Sequence, residues 1–459
     1  MHTLLQRHFR LSEHKSTVRS EILGGTTNFL AMAYIIVVNP TILKVAGIDE
    51  DAGTVATILA AVFGCLLMGF FANRPFAVAP YMGENAFLAF GLLQMGIGWQ
   101  QRLGSVFVSG AAFAVLTLVG LRTWLANAVS RSMKHGFAVG IGLFLMLIGL
   151  YLMGVVTSFV EGMPAAALVQ ADGTLGRPAA PLKIGNLHDA RVLLGVGGFV
   201  LITALMAWRL RGAILLGIVV TAGVGITLGF GQLPDGVVDV PWAERYDLGK
   251  IAFKLDIAGV LTWPFFPILL TLFLMSFLDT LGTLVAVGEA AQLLDDKGNL
   301  PQMERPMLVD SLSCMFSAVV GTSTSGVFVE SAAGVREGAR TGLAAVATGL
   351  LFATALFFLP LAKPLQALTF AYGPALVAVG LLMIGSVARI DFEDLTEAAP
   401  AVATIVMMLF TYNIANGLTA GLVLYPVFKV LAGRWRELNV GSLVLGAMCL
   451  FYFVYGIVH

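Results

Sequence analysis

Four polar side chains lie in stretches so apolar that each needs a reason to be there. Asp279 falls inside Phe273-Leu-Met-Ser-Phe-Leu-Asp-Thr-Leu-Gly-Thr283. An ionised carboxylate at membrane depth costs about 2.5–3.5 kcal/mol on insertion scales, so it is expected to face a wet cavity or bind something. The bland alternative is a carboxyl group hydrogen-bonded to a helix break. Glu330, in Ser325-Gly-Val-Phe-Val-Glu-Ser-Ala332, follows the same logic. It opens a half-helix, where free backbone N–H groups attract electron-rich ligands, and its alternative is a simple capping role. Glu84 and Asn85 occupy the corresponding place in Pro80-Tyr-Met-Gly-Glu-Asn-Ala-Phe87. An amide that both donates and accepts suits a planar heterocycle with alternating ring nitrogens and carbonyls. It equally suits a bridge from the break to a neighbouring helix, and for Glu84 both readings stand open.

The two segments echo one another. Glu-Asn-Ala and Glu-Ser-Ala stand 246 positions apart, and each places a carboxylate near glycine. Paired interruptions in corresponding halves of an apolar chain are the usual sequence pointer to a transporter's substrate site. Composition agrees that the surroundings are a membrane: 58% of the 459 residues are hydrophobic and only 12% charged, with a mean hydropathy of +0.89. No soluble domain buries that much apolar surface. Lys+Arg and Asp+Glu balance at 27 each, so net charge points to no nucleic-acid partner. Cys65, Cys314 and Cys449 lack metal spacing and read as small core residues. No phosphate-binding loop, dinucleotide fingerprint or metal cluster is present, so neither an enzyme nor a bound cofactor or metal is expected. No histidine lies deep in an apolar run, which argues against a histidine proton relay. The polar first twenty residues lead into no cleavage pattern, so no cleavable signal peptide is expected.

Fourteen apolar runs of membrane length or near it, plus a fifteenth at 441–457, divide the chain. A polar segment, 1–21, precedes them. Runs one to seven fill 22–231, runs eight to fourteen fill 258–432, and 433–459 holds the last. The third (76–95) and tenth (326–338) are too short or too rich in Gly, Pro and polar residues for a continuous helix, and are expected to be extended backbone leading into a half-helix. Such backbone is tolerated only where protein covers it or a cavity adjoins it. Lys and Arg recur after even numbers of runs, which puts that face and the N-terminus in the cytoplasm of an inner, plasma-membrane protein. Phe29-Leu-Ala-Met32 aligns with Phe273-Leu-Met-Ser276 at an offset of 244, close to the carboxylate spacing. Because seven is odd, the second copy enters from the opposite side. The expected fold is therefore all-α and polytopic, with fourteen transmembrane segments in two inverted seven-helix repeats.

At these residues the chain resembles the AzgA-like purine permeases of the nucleobase–cation symporter family that also contains uracil and xanthine permeases. The resemblance rests on Gly24-Gly-Thr-Thr-Asn-Phe-Leu-Ala-Met-Ala-Tyr-Ile-Ile-Val-Val-Asn-Pro40, Met82-Gly-Glu-Asn-Ala-Phe87, Leu278-Asp-Thr-Leu-Gly-Thr283, Gly321-Thr-Ser-Thr324, Glu330-Ser-Ala-Ala-Gly334 and Arg340-Thr-Gly342. It implies a core domain of spans 1–4 and 8–11 and a gate domain of spans 5–7 and 12–14, often dimeric through the gate. It implies that Asp279 and Glu330 hold the base, with Asn85, the backbone at Val329 and the neighbouring Ser331 beside them. Thr283 stands where the uracil branch can carry an ionisable group. Two departures stand out: Ser276 occupies a position where many members carry a second Asp, and Glu84 one where they carry an apolar residue.

The expectation is secondary uptake of a purine nucleobase, coupled to a proton ahead of sodium, with Asp279, Glu330 and Glu84 as candidate proton carriers. A desolvated carboxylate readily takes up a proton. The rivals are a transporter of the same architecture for another small solute or anion, and an uncoupled channel or receptor. Acidic residues at both half-helices argue against an anion site.

Overall fold

The computed structural model describes residues 6–92, 95–120, 128–164, 180–293 and 300–455. It is helical almost throughout. The first half runs through α1 (Val18–Met32), α2 (Ile35–Val45), α3 (Glu50–Leu67), β1 (Val78–Pro80), α4 (Met82–Ala86), α5 (Trp99–Val119), α6 (Arg131–Leu152), the hairpin β2 (Val156–Ser158) and β3 (Leu182–Ile184), α7 (Ala190–Ala207) and α8 (Ala213–Thr227). The second half holds α9 (Phe266–Ala290), α10 (Glu304–Val320), β4 (Ser325–Val327), α11 (Ser331–Arg336), α12 (Gly342–Ala355), α13 (Leu359–Gln366), α14 (Thr369–Ile384), α15 (Leu395–Phe410), α16 (Ile414–Leu431) and α17 (Val440–Tyr455). Among the described residues nine helices are long and apolar enough to cross a membrane, and three more apolar helices are shorter.

The helix starts are written in the sequence. Thr17 and Ser20 form a capping box at α1, while Asp49, Ser130, Asp189, Thr341, Asp394 and Asn413 each accept a backbone N–H at the head of α3, α6, α7, α12, α15 and α16. These side chains satisfy donors that the first turn of a helix leaves free. The first apolar run is interrupted within its span. It still forms one apolar span, Val18–Val45, but a turn at Ala33–Tyr34 divides it into α1 and α2, and Tyr34 in that turn is buried.

The helices fall into two groups that pack mainly within themselves. In one, α12 lies on α1 and α3, α10 on α3 and α5, and α9 on α5; in the other, α14 lies on α6 and α7, α15 on α6 and α16, α7 on α8, and α17 on α16. Glycine sets the first group's closest approach. A Cβ on Gly25 would collide with the Ala344 carbonyl, and one on Gly24 with the Gly334 carbonyl. Small residues let membrane helices approach this closely.

Within the first group, packed against α3, α9 and α10, β1 and β4 pair antiparallel, with Val78 opposite Val327 and Pro80 opposite Ser325. The two extended segments expected from the sequence therefore cross and hydrogen-bond one another, each leading into a very short helix. Their backbone groups are satisfied where no water or lipid could do it.

On the second group's polar end, Lys429 is buried and lies 3.0 Å from Glu397, 2.9 Å from Glu437 and 3.7 Å from Asp394. Arg434 completes the network at 2.6 Å from both Asp394 and Glu437. Hydrogen bonds from Thr396, together with Arg434, hold the Asp394 carboxyl down from its usual 3.8 to about 2. A depressed carboxylate stabilises the fold above its unfolded value and loses that contribution as pH falls through its folded value. Thermal unfolding of the detergent-solubilised protein is therefore expected to drop more between pH 4 and 2 in the wild type than in Asp394→Asn. The difference should be modest, because the carboxyl is only partly buried and its partner Arg434 is exposed, so solvent screens the pair.

Candidate functional site

The strand crossing positions the site. Tyr81 N–H donates to the Thr324 carbonyl at 2.9 Å, and Phe328 N–H to the Ala77 carbonyl at 2.9 Å, so each strand's exit is tied to the other. The Tyr81 and Phe328 rings stack, with centroids 6.1 Å apart and planes 8° from parallel. Gly326 permits this, since a Cβ there would fall inside the Tyr81 ring.

Glu330 ends the turn before α11, and its carboxylate accepts a hydrogen bond from the Tyr34 hydroxyl at 3.2 Å. Asp279, midway along α9, lies near enough for its charge to interact with that of Glu330. Both are partly buried, while Val329, next to Glu330 in the chain, is exposed. Because α11 spans only six residues, the attraction for a ligand here comes from the carboxylates and polar side chains more than from a helix dipole.

The other candidates are engaged with protein. Asn85, fully buried, donates to the Asn39 side-chain oxygen at 2.6 Å and to the Asn39 carbonyl at 3.2 Å, while its own side-chain oxygen has no partner. The buried Ser331 hydroxyl accepts the Ala77 N–H at 2.9 Å. Asn85 and Ser331, expected beside the base, each also tie one segment of the crossing to its neighbours. Ser276, on α9, donates to Glu84 Oε2 at 3.1 Å across 192 residues of sequence, so the two departures from the resembled pattern meet in space. Glu84 is 2% exposed. Thr283 is buried one turn along α9 from Asp279.

Asp310 adds a fourth carboxylate, fully buried on α10. It accepts the β4 N–H of Val327 at 2.8 Å and the hydroxyl of Thr280, whose oxygen in turn accepts from the Tyr81 hydroxyl at 3.3 Å. Arg340 caps α11, donating to the carbonyls of Val335 and Ala339 at 2.7 Å each. Two residues escaped notice in the sequence. Asn39 donates to Thr57 at 2.8 Å and to Thr322 at 2.9 Å and accepts from Ser323 at 3.1 Å. Glu21 accepts the N–H groups of Arg340 and Thr341 at 2.9 and 3.1 Å. The signal was present for Asn39, a polar residue inside an apolar run just before Pro40; Glu21 sits at the end of the polar segment that precedes the first run and carried none.

Four carboxylates, Glu84, Asp279, Asp310 and Glu330, thus surround the crossing. Among the described residues none of them forms an ion pair with a basic side chain, and no group of His, Cys, Asp and Glu has the arrangement of a metal site.

Short helices behind paired strands, packed within one of two helical groups, define a membrane transporter fold. Solved structures share it: the transmembrane domain of the cyanobacterial bicarbonate transporter BicA at a TM-score of 0.64 and 15% identity, covering 88% of this chain and 97% of that one. SLC26A9 follows at a TM-score of 0.60 and 12% identity, covering 90% of this chain and 66% of that one. The chain itself belongs to the xanthine/uracil permeases, whose model, described as a permease family, matches residues 19–420. It is an integral membrane protein. Adenine permease AdeP of Escherichia coli K12 is 39% identical over 95% of this chain and 93% of its own length. Guanine/hypoxanthine permease PbuG of Bacillus subtilis 168 is 36% identical over 97% and 99%. A putative permease of Methanocaldococcus jannaschii, MJ0326, is 39% identical over 98% of each. These relatives are permeases rather than enzymes.

Proposed function

We propose that this protein takes up a purine nucleobase by proton symport. The base lies beside the strand crossing, with Asp279 and Glu330 accepting its N–H groups, the backbone at Val329 completing the edge, and Tyr34 fixing the Glu330 carboxylate. Asn85 and Ser331 act one step back, by positioning the segments that carry these groups. The observation that carries the reading is the set of four buried or half-buried carboxylates with no basic partner. That arrangement rejects an anion and suits a neutral ring rich in N–H donors together with a cation. In the same reading the chain has fourteen spans in two inverted seven-helix repeats. The helices around β1 and β4 form the core (spans 1–4 and 8–11), and the group built on α6, α14, α15 and α16 forms the gate (spans 5–7 and 12–14). The N-terminus is cytoplasmic and the membrane is the inner one.

Inverted vesicles or proteoliposomes with an imposed proton gradient test this with adenine, guanine, hypoxanthine, xanthine and uracil. At least one purine should accumulate, and a protonophore should abolish accumulation. A thermal-shift panel of the same bases should rank them, since a ligand at a hundred times its Kd stabilises by about 2.7 kcal/mol. Accumulation of bicarbonate in place of every purine would overturn the reading.

A further inference from the structure

We infer that the coupling proton is carried by Glu84, shared with Thr324 and Ser276, while Asp279 and Glu330 serve the base; this rests on the purine-symport reading. Glu84 Oε2 takes the Ser276 hydroxyl at 3.1 Å. Its other oxygen, Oε1, is buried and without a hydrogen-bond partner, and so is the Thr324 hydroxyl oxygen. The two groups face one another without closing a bond of normal geometry. A buried carboxylate with an unsatisfied oxygen is costly, and an uncompensated buried charge more so.

The neighbours make the cost worse. Asp279 on α9, Asp310 on α10 and Tyr81 at the end of β1 all act on Glu84 or are acted on by it, as is the Cys314 thiol on α10. Every one of these groups is acidic or neutral, and among the described residues no basic side chain pairs with Glu84 or either aspartate. One proton cures both faults. Bonded to Oε1, it removes the charge and is donated to the Thr324 oxygen, so two orphaned atoms are satisfied by one hydrogen bond. The balance is simple: an O–H bond forms at Oε1 with a proton taken from outside water, and it breaks when the site opens to the cytoplasm and the proton returns to water. Thr324 and Tyr81 are joined through the backbone at the crossing, and Glu84 begins three residues beyond it. Protonation thus acts on the segments that position the base without using the groups that contact it.

The test compares base exchange with concentrative uptake in proteoliposomes. Glu84→Gln keeps a neutral donor and acceptor in the same shape. It should exchange external for internal labelled purine within about threefold of wild type, yet lose accumulation driven by a proton gradient at least tenfold. Thr324→Val, which removes the acceptor of the proposed bond, should shift the half-maximal pH of uptake to lower values, because the protonated form has lost its partner. Should Glu84→Gln fail to insert, this shift alone decides. Full proton-driven accumulation by Glu84→Gln, or an unchanged pH profile in Thr324→Val, would overturn the assignment. So would wild-type accumulation on a sodium gradient with no proton gradient, which would place a metal cation at Oε1. If the wild type exchanges no purine at all, the substrate reading fails instead, and the two failures are told apart by that single control.

Discussion

Asp279→Asn and Glu330→Gln are each expected to lower purine affinity by roughly ten- to a hundredfold and to leave uptake near background, while making the empty protein more stable. The argument has two opposed terms. Each carboxylate accepts a charge-assisted hydrogen bond from the base, worth about 1.5–3 kcal/mol, and an amide of the same shape supplies only the weaker neutral bond or presents its NH₂ to another donor. Against this, the empty protein carries two half-buried charges near enough to repel. Neutralising either relieves part of an insertion cost of about 2.5–3.5 kcal/mol per carboxylate. A structural carboxylate would show the reverse, with lower stability and little change in affinity. Thermal unfolding of wild type and both variants, with and without the best purine of the panel, separates the cases. A variant that binds and transports every purine as the wild type does would remove these residues from the site.

What the sequence disclosed, and what it hid, follows from how each feature is encoded. Helix starts were legible because Thr17, Asp49, Ser130 and Asp394 act within three residues of themselves. The extended segments before Glu84 and Glu330 were legible because Gly, Pro and polar residues interrupt apolar runs, and the pairing of β1 with β4 is where that reading led. Side-chain partners were another matter. The place of Asp310 along α10 says nothing about its facing β4, seventeen residues on in sequence. Asn85 and Ser331 were read as ligand groups because a polar residue at a break has two equally good uses. The choice between them depends on Asn39 and Ala77, 46 and 254 residues away. The meeting of Ser276 with Glu84, 192 residues apart, is a contact no local pattern encodes.

Asn39→Ala is expected to be the most damaging small change outside the base contacts, costing about 3–5 kcal/mol in thermal stability and with it the position of both half-helices. Asn39 is fully buried one residue before Pro40 in α2. Its amide NH₂ serves Thr57 on α3 and Thr322 ahead of β4, and its side-chain oxygen receives Ser323 and Asn85. Removing it strands donors and acceptors on three different elements, each unsatisfied buried group costing about 1–3 kcal/mol, although Thr57 retains its bond to the Gly53 carbonyl. Asn39→Asp should be milder, because a carboxylate still accepts from Ser323 and Asn85, and Thr57 and Thr322 can turn their hydroxyls to donate to it. Thermal unfolding in detergent reads the stability, and purine exchange by the surviving folded fraction reads the position of the half-helices. If Asn39→Ala unfolds with the wild type and exchanges purine at the same KM, the crossing is held by the β1–β4 pair alone. If stability falls and KM rises together while Asn39→Asp restores both in part, one asparagine in the first helix pair sets the geometry of a site whose ligand groups lie hundreds of residues away.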